Sequence, residues 1–578
     1  GVAAVGSNLV ALDQEDMEAV GAVNATQLVN TVPAITTNGS APQAESSYSY
    51  YSPQIHALGA SASNTTLVII DGLRIPGAGT QYAQTDPNIL PNPAIQRVEV
   101  LADGASSVYG SDAVAGVVNF ITRKTYEGAQ LNLKAGVGDS YNTRDMSAMV
   151  GTVWDTGGVY VAGSYAFQSE IANADRPFLS LGDYTSLGGT NNQEYTCNPA
   201  TIRTPGSGNN VYLSPDALTT VPNNQSNAPC NNSVYGAAIP SSQRVNMMMR
   251  VTQDITDRLN VTGTFIYNHL YNERQSEPGE LSGVTVFGAG SSADDLQENP
   301  FFQAPAGDPT ATQENISWLA LREDGNYGKS TQGNDTFYFT AVADYEISDK
   351  WTATLSNAYG RSKCSQSNYD TFCQPCALLA LNGTGQRNGS MTTTLVPGQN
   401  VIALNVPLTP DNSLDIWNPI GASNQTSDAV LRSLYGSDST NIHYNRFSQT
   451  KFEVQGELFN VPAGIVRMAV GAEYLTAHQD VHTTGPSLIG PTNIGSTFRI
   501  FNLSRNAYSG YAEFSIPLVS PDMDVPLVYA LDVNISGRYD KYNDVGSTSN
   551  PKFSANWSPV SWLKLRGNYS TAFVAPPL

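Results

Sequence analysis

The segment RNAYSGYAEFSI, residues 505–516, alternates between two kinds of side chain along its whole length. Every second residue from Asn506 to Ile516 lies on a mostly apolar face, whereas Arg505 and Ser509 lie on the opposite, polar face. A period of two that persists over so many residues predicts a β-strand with one apolar face. Strands of soluble sheets average about five or six residues, and about 9–11 residues let a tilted strand cross a bilayer. The segment is therefore long enough to be a transmembrane strand.

The same alternation recurs along most of the chain after residue 130. In 527–540, for example, Val533 and Ile535 share an apolar face, and Asn534 and Arg538 fall on the other. The pattern predicts thirteen strands, near 129–138, 145–154, 158–168, 243–254, 259–269, 335–346, 351–361, 448–458, 464–477, 505–516, 527–541, 551–558 and 562–573.

The connections between the predicted strands alternate in length. One set consists of tight turns, such as Asp155-Thr156-Gly157, and the other set is mostly long. Short turns at one end and long loops at the other are typical of outer-membrane barrels, and a soluble sandwich has no reason to separate them. We therefore predict a mostly β fold, a transmembrane antiparallel β-barrel with lipid outside and a polar lumen. The long connections are 169–242, 270–334, 362–447 and 478–504.

The predicted barrel domain, 126–578, has an odd number of strands. Bacterial single-chain barrels have an even number, and the last predicted strand is followed directly by Pro576, Pro577 and Leu578. We therefore expect that this barrel domain is incomplete. Because Gly1 is not an initiator methionine, the chain reads as a mature or trimmed product.

The amino-acid composition argues against nucleic-acid binding and against a transmembrane helix. The 578 residues carry a formal net charge of −21, and only 14% of them are charged. A chain this acidic repels phosphate backbones, so we expect no nucleic-acid partner. No run of eighteen apolar residues predicts a transmembrane helix.

Residues 1–125 differ in kind from the rest of the chain. Asn24 is a candidate N-cap for a short helix that Pro33 would end, and TLVIIDGLRI (66–75) reads as strand, Asp-Gly turn and strand. In VEVLADGASSVYGSDAVAGVVNF (98–120), two apolar runs flank a cluster of small residues that allows a compact link. The segment therefore predicts a small N-terminal α/β domain.

These features together resemble the TonB-dependent outer-membrane receptors. The matching plug motif comprises an apolar strand, a Gly-rich segment with Tyr-Gly-Ser, and a Val-Val-Asn run. The resemblance implies that 1–125 is a plug domain lodged in the lumen of a 22-stranded barrel. His56 and Val574 depart from the family pattern, which usually has arginine at both places. The motif residues, which the resemblance makes structural, are Glu99, Gly104, Tyr109, Gly110, Gly116 and Asn119.

The resemblance also implies a function and partners. The family imports scarce nutrients across the outer membrane, with energy from the proton-motive force delivered by TonB of an inner-membrane complex. We therefore expect TonB, outer-membrane lipid and a small-molecule or oligomeric nutrient as partners, with a surface lipoprotein as a further candidate. No cofactor is expected. Because the plug must move, its interface with the barrel should be polar and wet.

Two other functions stay open on the sequence. A surface barrel that keeps its plug could act as an adhesin or structural scaffold without transport. A passive porin is the third reading, which the plug disfavours. A TonB-contacting segment upstream of Gly1 would distinguish an importer from a scaffold.

Candidate ligand-binding residues lie near the expected outer face of the plug. Tyrosine and glutamine offer ring faces and hydrogen bonds, although the tyrosines could equally pack the plug against the barrel. The loop 270–334 holds ten acidic and three basic residues, which favours an oligosaccharide, a peptide or a neutral chelate over an anionic ferric siderophore. The candidates are Tyr48, Tyr50, Tyr51, His56, Gln81, Tyr82 and Gln84.

The remaining predictions concern the cysteines, enzymatic activity and metal binding. The CxxC spacing of Cys373 and Cys376 suits zinc or redox chemistry, but loop disulfides in an oxidising compartment are the favoured reading. An odd number of cysteines leaves one thiol over. No nucleotide-binding or nucleophile-elbow motif is complete, so we expect no enzymatic activity. Asp540, Asn543 and Asp544 could hold calcium, but solvated turn residues are the favoured reading, so no metal site is predicted. The disulfide candidates are Cys197, Cys230, Cys364, Cys373 and Cys376.

Overall fold

The fold is taken from a computed structural model. Among the described residues, no helix is long and apolar enough to cross a membrane. The structure describes residues 9–22, 24–38, 52–56, 65–80, 84–203, 210–213, 219–222, 230–291, 297–304, 308–383, 408–421, 423–486, 496–576 and 578.

The N-terminal part forms the predicted α/β domain. Its central sheet has the strand order β1-β8-β9-β4-β5, in which β8 and β9 are antiparallel and β4 runs parallel to β9. The last of these strands ends six residues before the first strand of the large sheet begins. The elements are β1 (Leu9–Asp13), α1 (Gln14–Val20), α2 (Ala25–Val29), β2 (Ile35–Asn38), β3 (Ser52–Ile55), β4 (Thr66–Ile70), β5 (Leu73–Arg74), β6 (Gly77–Ala78), β7 (Gln84–Thr85), β8 (Ile95–Leu101), α3 (Ser106–Tyr109) and β9 (Gly116–Thr122).

Local sequence explains this domain well. The side chain of Asn24 accepts a hydrogen bond from the backbone N–H of Gln27 at 2.9 Å and so caps α2 as predicted. Leu28 on this helix and Val98 on β8 are fully buried in one apolar cluster. The Asp71-Gly72 pair makes the predicted turn between β4 and β5. The helix α1, which precedes this cap, was not predicted.

The remainder of the chain forms the large sheet and the segments that connect its strands. Two short helices and one of intermediate length lie in the connections: α4 (Pro177–Ser180), α5 (Gln374–Asn382) and α6 (Asp428–Ser433). The strands are β10 (Gly128–Gly138), β11 (Tyr141–Trp154), β12 (Gly157–Gln168), β13 (Ile171–Ala172), β14 (Thr201–Arg203), β15 (Asn210–Leu213), β16 (Thr219–Pro222), β17 (Ala237–Ile239), β18 (Ser241–Thr256), β19 (Leu259–Gln275), β20 (Gly279–Phe287), β21 (Gln313–Ala320), β22 (Lys329–Ser348), β23 (Trp351–Thr371), β24 (Ser437–Val461), β25 (Gly464–Pro486), β26 (Ser496–Val519), β27 (Ala530–Tyr542), β28 (Ser547–Val560) and β29 (Leu563–Ser570).

The thirteen predicted strands are confirmed as one antiparallel sheet, in the order β10-β11-β12-β18-β19-β22 to β29. The predicted faces are confirmed as well. On β27 the apolar side chains of Ile535 and Tyr539 are exposed, whereas Asn534, Arg538 and Asp540 are buried. Strands from β10 to β28 contact the N-terminal domain, so the sheet curves around it and its polar face is the lumen.

Several strands are longer than the alternation predicted. The strand predicted at 351–361 is β23, which ends at Thr371. The added residues are mostly polar on both faces, so they keep backbone pairing with β22 and β24 but carry no apolar period. Two predicted strands extend beyond the observed ones. Leu527 lies in the turn before β27, with a φ of 61°, and Phe573 follows the end of β29.

The long connections are not simple loops, and this corrects their prediction as loops. Parts of 169–242 and 270–334 pair in a second sheet of order β16-β15-β14-β21-β20, and α5 and α6 from 362–447 pack with it. We call this assembly the loop unit. Its core holds, among others, Ile202, Leu281, Ile316, Trp318, Leu381 and Trp417.

Candidate functional site

The interface between the plug and the lumen face of the sheet has two halves, one apolar and one polar. On β11 to β23, barrel side chains such as Met149, Met248 and Tyr338 join the apolar cluster of the plug. On β25 to β29, no described side chain belongs to that cluster, and the contacts are polar. The expectation of a polar interface is therefore wrong for the half formed by β11 to β23. There, apolar barrel side chains pack against the apolar face of the plug sheet.

The first half also contains two ion pairs. Arg250 of β18 binds Asp71 at 2.7 Å, and Arg244 of the same strand binds Asp86 at 2.8 Å. Asp71 lies in the turn after β4 and also accepts hydrogen bonds from the backbone and side chain of Thr122. Both pairs are mostly buried, so they fix the plug sheet against β18.

The centre of the polar half is Arg538 on β27. Its side chain is 3% exposed and binds Asp540 at 2.8 Å and Glu473 at 3.1 Å. The same guanidinium donates from Nη1 to the carbonyl oxygen of Val108 in the plug, at 3.1 Å. One barrel arginine thus joins two barrel strands to the plug helix α3. Asp540 is held in this network, which corrects its reading as a solvated turn residue.

A second chain of contacts closes the network. The Glu473 carboxylate accepts a hydrogen bond from Gln449 at 3.0 Å, and the amide oxygen of Gln449 accepts one from the backbone N–H of Arg74 at 2.9 Å. Arg74 belongs to the plug and binds Asp112 at 2.9 Å and the carbonyl oxygen of Ser111 at 2.6 Å. The network therefore holds the plug segment around residues 108–112 from both sides.

The small residues of the plug motif allow these close contacts. Gly110 has a φ of 82°, and a Cβ there would lie 3.0 Å from the Arg538 guanidinium. At Gly104, a Cβ would lie 2.7 Å from Oγ of Ser570 on β29. The carbonyl oxygen of Gly104 accepts a hydrogen bond from Lys552 Nζ at 3.0 Å. Ser107 and Ser536 join their hydroxyls at 2.9 Å. The segment of small residues is thus the plug surface that faces β27 to β29.

The other motif residues act inside the plug. Gly116 leaves room for the carbonyl oxygen of Leu101, which would lie 2.1 Å from a Cβ. Asn119 accepts a hydrogen bond from the backbone N–H of Gly72 at 3.2 Å, and Glu99 binds Arg97. Tyr109 ends α3, and burial together with nearby carboxylates raises its pKa to about 12. It therefore stays protonated.

Two of the predicted ligand-binding residues, His56 and Gln84, lie in the described part of the chain. His56 is described: its Nε2 lies 3.1 Å from the carbonyl oxygen of Ala102, so its partner is the plug backbone. The backbone of Gln84 pairs with Ala78 in a two-residue strand. The predicted residues that lie outside the described part of the chain are Tyr48, Tyr50, Tyr51, Gln81 and Tyr82.

A cavity of about 200 Å³ lies between the plug and the barrel strands of the polar half. Arg74, Asp112, Gln479 and Arg505 contribute to its lining. Arg505 binds Asp544 at 2.8 Å, which gives this turn carboxylate a cation as its partner.

Two disulfides lie in the connections, in agreement with the favoured reading. Cys197 is bonded to Cys230, and Cys373 to Cys376. The remaining candidate, Cys364, forms no disulfide with any described residue, and its buried thiol faces the plug near the carbonyl oxygen of Gly77.

The loop unit contains a buried acid that sequence reasoning did not find. Glu314 on β21 is 0% exposed. Its Oε2 accepts a hydrogen bond from the indole N–H of Trp417 at 3.0 Å, and its Oε1 is unsatisfied among the described residues. Burial raises the pKa of this carboxyl to about 8. The only local signal was an acid on the apolar face of a short strand.

Sequence reasoning also missed that Arg538 and Lys552 bind the plug and that Glu473 holds Arg538 in place. Arg538 was placed on the polar strand face, but its plug partner Val108 lies 430 residues away in the chain. The available signal was a charged side chain on a predicted lumen face, which identifies the face but not the partner.

Comparison with known protein families shows to which family the chain belongs. Residues 2–117 match the family model TonB-dependent Receptor Plug Domain, and residues 271–578 match the model TonB dependent receptor-like, beta-barrel. The chain belongs to the TonB-dependent receptor family, and its sheet is an outer-membrane β-barrel.

Individual relatives are distant. An "Iron-regulated outer membrane virulence protein" of Vibrio cholerae is 32% identical over 123 residues, which are 20% of this chain and 17% of that protein. A mutant of the ferric enterobactin receptor of Pseudomonas aeruginosa superposes with a TM-score of 0.54 at 12% identity, covering 99% of this chain and 62% of that one. The unliganded ferric citrate transporter gives 0.53 at 10% identity, covering 98% and 63%. The chain thus spans less than two thirds of the length of these relatives.

Proposed function

We propose that this protein imports a scarce nutrient across the bacterial outer membrane, with energy delivered by TonB of an inner-membrane complex. Family membership supports the proposal, and the observation that carries it is the divided plug interface. A plug that fills the lumen blocks passive flow. Transport therefore requires part of the plug to move, and the polar half offers the contacts that can be exchanged for water.

The passage would open on the side of Arg538. Charged and hydroxyl groups there lose protein partners but gain water when the plug shifts, so the net cost is far smaller than that of exposing an apolar core. The apolar half, with Met149 and Tyr338, would keep the plug attached to β11 to β23. The cavity next to Arg74 lies on the side that would open.

The long connections would face the cell exterior and the tight turns the periplasm. The loop unit would then be the first part that a nutrient meets. Its three source segments are tied together, since Asn299 donates to the carbonyl oxygens of Leu381 and Leu414 at 3.1 Å, and the N–H of Ala200 donates to Ile416 at 2.9 Å. A unit held this way would present a defined surface to its ligand.

The cargo we favour is a neutral or cationic iron chelate. The relatives named above are an iron-regulated protein, a ferric enterobactin receptor and a ferric citrate transporter. The acidic excess of 270–334 in this chain disfavours an anionic chelate there. An oligosaccharide or a peptide is the second candidate.

Uptake measurements test the proposal. Cells that express the full receptor are given radiolabelled iron as neutral, cationic or anionic chelates, or a labelled oligosaccharide, with and without a proton uncoupler. We expect receptor-dependent uptake of a neutral or cationic chelate that stops when the uncoupler is added or TonB is deleted. Uptake that is indifferent to the uncoupler would refute energised transport, and preferential uptake of anionic chelates would refute the cargo class.

A further inference from the structure

The connection between β23 and β24 leaves the barrel and returns to it at one place. β23 ends at Thr371 and β24 begins at Ser437. Thr371 Oγ1 donates a hydrogen bond to the carbonyl oxygen of Ser437 at 2.7 Å, and the backbone N–H of Cys373 donates one to the carbonyl oxygen of Leu434, also at 2.7 Å. The outgoing and returning chains are therefore joined to each other. We call residues 371–373 and 434–437 the neck.

One of the two disulfides lies at this neck. Cys373 is the N-cap of α5 and is bonded to Cys376 in the first turn of the helix. The following residues of α5 are fixed in the loop unit, where Ala377 and Leu381 are fully buried in the core. The carbonyl oxygen of Leu381 also accepts a hydrogen bond from Asn299 Nδ2 at 3.1 Å. The disulfide thus closes the short link through which the barrel wall passes into the loop unit.

The spacing of the two cysteines indicates that this disulfide acts locally. It joins residues three apart in the chain, whereas the disulfide of Cys197 and Cys230 joins residues 33 apart. A disulfide restrains the unfolded chain less when the loop that it closes is shorter. Its main effect is therefore on the first turn of α5, which it holds against the neck.

The position at the start of a helix favours thiol–disulfide exchange. The backbone N–H of Cys376 donates a hydrogen bond to Sγ of Cys373 at 3.3 Å, and no acidic residue lies in the first turn of α5. The free N–H groups and the dipole at a helix N-terminus stabilise a thiolate, as they do in other Cys-x-x-Cys pairs. Because a stabilised thiolate leaves faster, Cys373 is the better leaving group of the pair.

Burial links the redox state of the disulfide to the conformation of the neck. Cys373 is 3% exposed and Cys376 is 4% exposed. A dissolved thiol therefore reaches the sulfur atoms only when the neck opens. Since reduction also removes a bond that opposes opening, the reduced form shifts the neck toward its open state.

We propose that the Cys373–Cys376 disulfide is a redox switch that sets how firmly the loop unit is held to the barrel. The reductant is a low-molecular-weight thiol. Its thiolate attacks Sγ of Cys376, the bond between the two protein sulfurs breaks, and Cys373 leaves as a thiolate. A second molecule of the reductant attacks the sulfur of the first, which releases a small-molecule disulfide and Cys376. Two electrons and two protons pass from the two reductant molecules to the two cysteines.

Reduction of the folded, full-length receptor in detergent with glutathione tests the switch. Alkylation of the freed thiols and peptide mass spectrometry show which disulfide is reduced, and hydrogen exchange measures the opening of α5. We expect Cys373–Cys376 to be reduced at least roughly tenfold faster than Cys197–Cys230. The amides of α5 should then exchange at least roughly tenfold faster than in the oxidised receptor.

Three variants separate this disulfide from the other cysteines. C373S/C376S should exchange at the rate of the reduced wild type, both with and without glutathione. C197S/C230S removes the other disulfide and should respond to glutathione as the wild type does. Cys364→Ser should also keep the response, because the thiol of Cys364 faces the plug. The heat-modifiable electrophoretic shift of a folded barrel verifies that each variant is folded.

Three results would overturn the proposal. These are reduction of Cys197–Cys230 at least as fast as that of Cys373–Cys376, exchange of α5 that does not change on reduction, and a glutathione response of α5 that persists in C373S/C376S. The wild type is reduced after it has folded, so the first two results do not depend on any variant. The assay needs neither TonB nor cargo, so its failure leaves the import proposal standing, and failure of import leaves the switch standing.

Discussion

Arg538 of the barrel and Val108 of the plug are joined by a hydrogen bond of 3.1 Å between Nη1 and the carbonyl oxygen. The arginine is held in place by Glu473 and Asp540, which are themselves buried. The bond therefore connects a rigid, charged barrel site to the shortest helix of the plug. It is a contact that must break if this part of the plug moves.

Removing the guanidinium should loosen the plug. Arg538→Met keeps the length of the side chain but leaves two buried carboxylates without their cation, which costs about 3–5 kcal/mol. We expect faster cleavage of the plug by protease in the purified, folded receptor. Lys541→Met is the control, since Lys541 is exposed on the same strand and should leave the cleavage rate unchanged. Equal cleavage rates for Arg538→Met and wild type would contradict the role assigned to Arg538.

Gly110 should not tolerate alanine. Its φ of 82° is unfavourable for an L-residue, and a Cβ would press against the Arg538 guanidinium. The strain alone costs of order 1–3 kcal/mol. We expect Gly110→Ala to lower the denaturant midpoint for plug release, monitored by protease protection. Gly567→Ala should not, because nothing lies within 4 Å of a Cβ there; an equal effect of both substitutions would show that Gly110 has no special constraint.

The loop unit should lose stability as the pH rises. The pKa of Glu314 is about 8 in the folded unit, above its ordinary value of 4.5. The folded state therefore binds more protons than the unfolded state between these values, and the free energy of unfolding falls as the pH rises from about 4.5 to about 8. Hydrogen exchange of β21 at pH 5, 7 and 9 measures this.

Glu314→Gln separates this carboxyl from the other titrating groups. The amide does not ionise, so the exchange of the variant should lose the pH dependence that Glu314 contributes. Glu280→Gln on the adjacent strand β20 is the matched control, because Glu280 is exposed. If Glu314→Gln and wild type have the same pH profile, the buried carboxyl does not titrate in this range.

The sequence predicted the barrel because its signal is local. Alternating side chains and turn lengths are visible within ten or twenty residues, which suffices for strands and faces. The loop unit was missed because β14 has only three residues and its core joins segments more than a hundred residues apart, such as Ile202 and Trp417.

Local sequence patterns predicted the candidate site only in part, for the same reason. Arg538 was correctly placed on the polar face of its strand, but the identity of its partners depends on how the plug sits in the lumen. Glu473 and Val108 are distant in sequence, and no local pattern links them. The apolar half of the interface was missed for a similar reason, since Met149 and Tyr338 face the plug from strands whose lumen faces are mostly polar.

A disulfide across the polar half tests the central claim, movement of the plug away from β27 to β29. A Cβ at Gly104 would lie 3.8 Å from Cβ of Ser570, which suits a disulfide. The matched control is G136C/T143C, because a Cβ at Gly136 would lie 4.0 Å from that of Thr143 within the barrel wall. The measurement is energised uptake by cells that express each variant, under oxidising and reducing conditions.

We expect oxidised G104C/S570C to lose uptake and to regain it on reduction, while G136C/T143C transports under both conditions. Uptake by oxidised, fully cross-linked G104C/S570C at the rate of the reduced form would contradict the claim that the plug opens along its polar half.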